Sequence, residues 1–200
     1  MVFSQCCVTP EMEAYVASQV SEFRFKHIQG VRQSAQSLAK RWQAPADKTD
    51  LAALFHDVAR EWPLARLLAY AREKGMSIRP QDEKYPILLH GAVAVHLLEQ
   101  TFGLRDEEVA EAMRVHTTGF PGMGLVAKIL FVADAIEPGR SHIEVTRLRM
   151  LADKDLEQAV TEVLKEQLAY IRKREADIDP WTLELATERG IQTHRDKDRC

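Results

Sequence analysis

The chain has 200 residues, 46% of them hydrophobic and 28% charged, with a formal net charge of −3. That size and balance fit one domain with a core large enough to need neither disulfides nor a structural metal. The acidic balance argues against a nucleic-acid binder, and no apolar run approaches the roughly 20 residues that span a bilayer. The opening stretch, MVFSQCCVTPEMEAYV, lacks the basic and long apolar regions of a signal peptide, so the cytoplasm is the expected compartment. Cys6, Cys7 and Cys200 are odd in number and lack metal-site spacing, which reads as free thiols near the two ends.

In chain order, residues 1–15 read as an N-terminal extension. Val20, Phe23, His27, Val31, Ala35, Leu38 and Trp42 then recur at three- and four-residue steps, one stripe of an amphipathic helix that Pro45 closes. Asp47 or Thr49 is placed to cap a helix running through His56 to about Arg60. Pro63 opens a helix that Gly75 ends, and Pro86 opens another that stops near Gly103. Asp106 caps a helix whose inner face is Val109, Met113 and His116. After the loop TTGFPGMG, Leu125 to Ile136 forms the most apolar helix. Glu144 to Leu151 and Leu156 to Ile171 follow, the second burying Val160, Val163, Leu164 and Leu168. Strand alternation is nearly absent. The expectation is a single all-α bundle over residues 16–188, followed by a polar tail at 189–200.

Polar groups fall where that core should be. His27 occupies a stripe position, His56 and Asp57 follow Leu54 and Phe55, and His90 comes after an apolar YPILL. His116 ends its helix on the inward face, and Asp134 stands in the apolar ILFVADAI. An unpaired carboxylate there would cost several kcal/mol unless it protonated or met a cation. One such residue is ordinary; six of them on five successive helices point to a metal. Imidazole and carboxylate suit Fe, Mn, Zn or Co, and the lack of cysteine ligands argues against structural zinc. His96 turns away from His90 on their helix, and His142 lies in a loop. His96 and the tail residue His194 read as structural or solvated.

These residues resemble the HD-domain metal-dependent phosphohydrolases, whose signature is a lone His, an adjacent His-Asp pair and a later Asp on separate helices. RFKHIQGV, LAALFHDVAR, LLHGAVA, HTTGFPGM and VADAIEPGR together resemble the bacterial YqeK-type subset. The match runs from about Phe23 to Arg140. The resemblance implies an HD-domain helical bundle and a symmetrical bis(5'-nucleosyl)-tetraphosphatase, which splits diadenosine tetraphosphate into two ADP. It implies one or two divalent ions, iron first, held by His27, His56, Asp57 and Asp134. His90 and His116 would serve a second ion or the nucleotide phosphates, with Asp57 as the bridge. Arg24, Thr117 of HTTG, Gly139 and Arg140 fall where the family contacts nucleotide. Asp57 and Arg60 are the residues assigned to catalysis.

Two departures stand out. Arg60 replaces the Lys common three residues after the Asp of the pair, and EPGR runs into SHIEV without the usual aromatic-proline step. Hydrolysis of a phosphoanhydride needs an in-line hydroxide and neutralised phosphoryl oxygens. Arg60, Arg140 and Lys128 are candidates for the second task, the guanidinium by its fork and Lys as a point charge. The expected partner is a small nucleotide, not nucleic acid or membrane. The oligomeric state stays open, a dimer included. Alternatives are another HD nucleotidase or phosphodiesterase, or a metal-free helical binding module.

Overall fold

The structure, a computed structural model, describes residues 7–141 and 144–193. Cys6, Cys200, His142 and His194 lie outside them, and Cys7 is exposed. The described residues form α1 (Pro10–Gln19), α2 (Glu22–Trp42), α3 (Ala46–Phe55), α4 (Leu64–Glu73), α5 (Pro80–Lys84) and α6 (His90–Phe102). A 3-10 turn at Pro86–Leu89 leads into α6. There follow α7 (Glu107–Val115), α8 (Leu125–Ile136), α9 (Val145–Lys154), α10 (Leu156–Lys173) and α11 (Pro180–Glu188), with no strand among the described residues. No described helix is long and apolar enough to cross a membrane.

The bundle is organised around α8, which packs against α2, α3, α7, α9 and α10. Its sequence is apolar nearly all round, and a helix of that kind has to be enclosed. Val126, Ala127, Ile129, Leu130, Val132 and Ala133 are fully covered. Phe55, Ile28, Leu51, Met113, Leu148 and Leu164 converge on the same core from neighbouring helices.

Three expectations are corrected by local chemistry. The stripe beginning at Val20 is broken there, because Val20 is extended (φ −130°, ψ 163°) and ends α1. Ser21 caps α2, its Oγ accepting from Arg24 N at 3.1 Å, as a hydroxyl does at a helix start. Phe23 is consequently 78% exposed. Second, α3 begins after Pro45 and stops at Phe55, short of Arg60. Thr49 lies inside it and donates to the Pro45 carbonyl rather than capping a terminus. The chain then tightens into three-residue turns, Val58 N to Phe55 O at 3.0 Å and Arg60 N to Asp57 O at 2.9 Å. Third, α1 starts inside the stretch read as an extension, and it buries Met12 and Val16. Tyr15 packs against the rings of Phe55 and Phe102, with centroids 6.3 and 5.5 Å away.

Candidate metal and phosphate site

Each candidate histidine reaches the centre for a local reason. Arg24 and His27 are three residues apart on α2 and share a face. His56 follows the last residue of α3, His90 opens α6 and His116 follows α7. At these termini each imidazole finds the carbonyl three residues before it. His56 Nδ1–H donates to Ala53 O and His116 Nδ1–H to Met113 O, both at 2.8 Å, and His90 Nδ1–H donates to Ile87 O. Committing Nδ1 to a carbonyl leaves each Nε2 aimed inward, where those of His90 and His116 lie 3.0 Å apart.

The Nε2 atoms meet around Asp57. Its Oδ2 lies 3.7 Å from His27 Nε2, 3.6 Å from His56 Nε2 and 2.8 Å from Arg24 Nη1. Its Oδ1 lies 3.2 Å from His90 Nε2 and 3.7 Å from His116 Nε2. The cluster therefore divides into two triads, His27–His56–Asp57 and Asp57–His90–His116, each with donor atoms within 4.8 Å of one another. Asp134 Oδ1 adds a carboxylate 3.2 Å from His27 Nε2.

Electrostatics put four of these groups, His56, His90, Asp57 and Asp134, in the forms a cation needs. Burial pushes His56 down to about 4 and lowers His90 as well, so both are neutral near pH 7. Burial would raise Asp57, but His56, His116 and His90 outweigh it and hold the carboxyl well below its ordinary value. Asp134 is likewise ionised: burial opposes charge, and His27 and His56 more than offset it. For His27 and His116 burial again favours the neutral form, yet the adjacent carboxylates prevail and raise both. A divalent ion can supply the positive charge these carboxylates attract. His56 Nε2 is buried with no hydrogen-bond partner, a costly arrangement that a metal resolves. The donor set fits a borderline divalent cation.

A cavity of about 460 Å³ opens above the cluster, lined among others by Arg24, Asp57, Arg60, Thr117, Asp134 and Arg140. A neighbouring cavity of about 580 Å³ shares Arg24 and Arg140 and extends along Phe23, His27 and Gly139. Thr117 Oγ1 lies 3.1 Å from His116 Nε2. Arg140 reaches back over the end of α8, its Nη2 donating to Asp134 Oδ1 at 2.8 Å. The structure does not bring Lys128 here. Six residues before Asp134, it points elsewhere on α8 and pairs with Glu157 at 2.6 Å. His96 is structural, with Nδ1 2.8 Å from the Tyr70 hydroxyl.

Sequence reasoning missed three neighbours. Gln167 and Tyr170 on α10 line the first cavity, and nothing in an ordinary amphipathic helix marks them. Glu137 is buried against His27, with Oε1 3.2 Å from Nδ1. Its signal was Gly30, a glycine inside a helix.

Buried imidazoles and carboxylates converging from separate helices beneath an arginine-rimmed cavity define a helical divalent-metal-binding protein. The HD domain family matches residues 24–139, and the chain belongs to it. It is similar to the symmetrical bis(5'-nucleosyl)-tetraphosphatase of Bacillus subtilis, 36% identical over 86% of this chain and 92% of that one. The protein of the same name from Halalkalibacterium halodurans is 36% identical over 84% of this chain and 89% of its own. A Clostridium acetobutylicum structure, described as a predicted HD superfamily hydrolase involved in NAD metabolism, superposes with a TM-score of 0.84. It is 31% identical, covering 89% of this chain and 95% of that one.

Proposed function

We propose that this chain is a metal-dependent hydrolase that cleaves diadenosine tetraphosphate symmetrically into two ADP. The observation that carries the chemistry is the division of one carboxylate between two triads, one oxygen of Asp57 to each. Two relatives named for this activity, each covered almost end to end, carry the substrate.

In this reading His27, His56, Asp57 and Asp134 hold one ion, and Asp57, His90 and His116 hold the second or receive phosphate. Iron is the first choice of metal, then Mn, Co or Zn. Bound divalent ions polarise phosphoryl oxygens and lower the pKa of water toward neutrality. The remaining work falls to the chain. Three imidazoles are locked by backbone carbonyls, so no reorganisation is needed as charge develops. Arg24, Arg60 and Arg140 rim the cavity and neutralise the oxygens of the polyphosphate, the forked guanidinium matching their geometry. Thr117 offers a hydroxyl beside His116, and Gly139 lets the chain turn closely past the phosphates. The departing nucleoside diphosphate leaves as a stable anion facing the same arginines. Two cavities that share Arg24 and Arg140 suit a substrate with a nucleoside at each end. The working unit is Pro10–Glu188, with α1 included.

The test is chromatography of the products after incubation with diadenosine tetraphosphate and each metal in turn. ADP alone is expected. AMP with ATP would mean asymmetric cleavage, and turnover of nucleoside monophosphates or cyclic nucleotides instead would favour another HD phosphohydrolase.

A further inference from the structure

Of the four imidazoles at the centre, His27 alone has no carbonyl to hold its Nδ1. His56, His90 and His116 sit at helix termini and use the carbonyl three residues back. His27 is in the second turn of a 21-residue helix, where the backbone carbonyls serve the helix itself. Its Nδ1–H donates instead to Glu137 Oε1 at 3.2 Å. Glu137 ends α8, and its side chain is only 7% exposed.

The other carboxylate oxygen is equally engaged. Glu137 Oε2 accepts the Gly139 N–H, while the Glu137 carbonyl accepts from Arg140 N at 2.9 Å and Arg149 Nη2 at 2.8 Å. Two glycines make room for it. A Cβ at Gly30 would sit 2.6 Å from Glu137 Oε2, and one at Gly139 2.9 Å from the same atom. A glycine inside a helix costs roughly 0.5–1 kcal/mol relative to alanine, so Gly30 is an expense that needs a reason. Glu137 is that reason.

We infer that Glu137 is a positioning residue with two outputs: one oxygen orients the His27 imidazole toward the metal, and the other fixes the turn that carries Arg140. The inference rests on the metal reading above. A carboxylate behind a ligand imidazole fixes its tautomer and raises its basicity, and loss of such a partner typically weakens metal binding by about 10–100-fold. Glutamine in its place cannot accept both N–H groups, because one of its two terminal atoms is itself a donor.

The experiment is Mn2+ titration of the chelator-stripped full-length chain, followed by electron paramagnetic resonance, with circular dichroism reporting the fold. Glu137→Gln should weaken binding at the His27–His56–Asp57 triad by about 10–100-fold and leave the Asp57–His90–His116 triad unchanged. Gly30→Ala, which touches no ligand, should do the same by displacing the carboxylate, and it serves equally if Glu137→Gln does not fold. In a Glu137→Ala background the nearest remaining atom to the added methyl is Pro138 Cδ, at 3.3 Å, so Gly30→Ala should cause little further loss. Wild-type Mn2+ affinity in both single variants, or a Gly30→Ala loss that persists without Glu137, overturns the assignment while the metal site stands. Absence of Mn2+ binding by the wild-type chain overturns the metal reading, and this assignment with it.

Discussion

Asp57 uses both of its oxygens, which makes it the residue whose loss cannot be shared out. Asp57→Ala removes the carboxylate from both triads at once and leaves four imidazoles facing each other. Metal content by elemental analysis and hydrolysis are expected to vanish together, while the helical circular dichroism persists on the core around α8. Full metal content in that variant would remove Asp57 from the site. Arg140 is a different case. Its side chain is 42% exposed, so its pair with Asp134 adds little stability, and in the proposed function its role is to grip substrate. Arg140→Ala should lower kcat/KM by what a charge-assisted hydrogen bond is worth, roughly 1.5–3 kcal/mol or about 10–150-fold. Arg140→Lys should recover only part of that, since it lacks the fork. Wild-type kinetics in the alanine variant would place Arg140 on the solvated surface.

At the scale of elements, legibility followed the strength of the local signal. Leu125–Ile136 is the helix the sequence outlined, because a strongly apolar run, broken only by Lys128 and Asp134, lies between Gly124 and the EP step at Pro138. Asp106 caps α7 as expected, its Oδ1 accepting from Glu108 N and Val109 N. The residues gathered around Asp57 were legible as polar intrusions on apolar faces. What could not be read was long-range: Glu137 meets His27 across 110 positions, and Arg24 meets Asp57 across 33. The α5 segment escaped because five residues hold too little periodicity, and α11 was left unread as well. The start of α2 was misplaced because the Val20–Phe23 spacing imitates a stripe, whereas Ser21 decides the boundary. Ser21 also ties two site-bearing elements together, its N–H donating to Glu61 Oε2 at 2.7 Å and its hydroxyl to Oε1 at 2.8 Å. That contact holds the start of α2, with Arg24 and His27, against the turn that carries His56 and Asp57. Ser21→Ala should cost about 1 kcal/mol of stability, read as a fall in Tm of roughly 2–4 °C. An unchanged Tm would show that Glu22 and solvent cap the helix as well.

For the whole molecule, the cluster ties stability both to pH and to metal. His56 is held at about 4 by burial, below its ordinary 6.5. Between those values the unfolded chain takes up a proton that the folded chain refuses, so this group withdraws stability as pH falls from 6.5 to 4. Asp57 and Asp134, held low, contribute stability above the ordinary carboxylate range that is lost in more acid solution. His27 and His116 are raised, so in the metal-free chain their contribution is full below 6.5 and fades as pH climbs through their folded values. In the proposed function a bound ion would replace the protons on those two imidazoles, and its binding would release them. The metal therefore stabilises least in acid and most where the imidazoles are already neutral. With free metal at a hundred times Kd, the gain is about 2.7 kcal/mol, or roughly 5–10 °C in Tm for a chain of this size. Thermal unfolding of stripped and Mn2+-loaded protein at pH 5, 6.5 and 8 should show the difference in Tm widening with each step. A difference that stays constant across that range would mean that the bound ion displaces no imidazole protons, and that the histidines gathered around Asp57 are not its ligands.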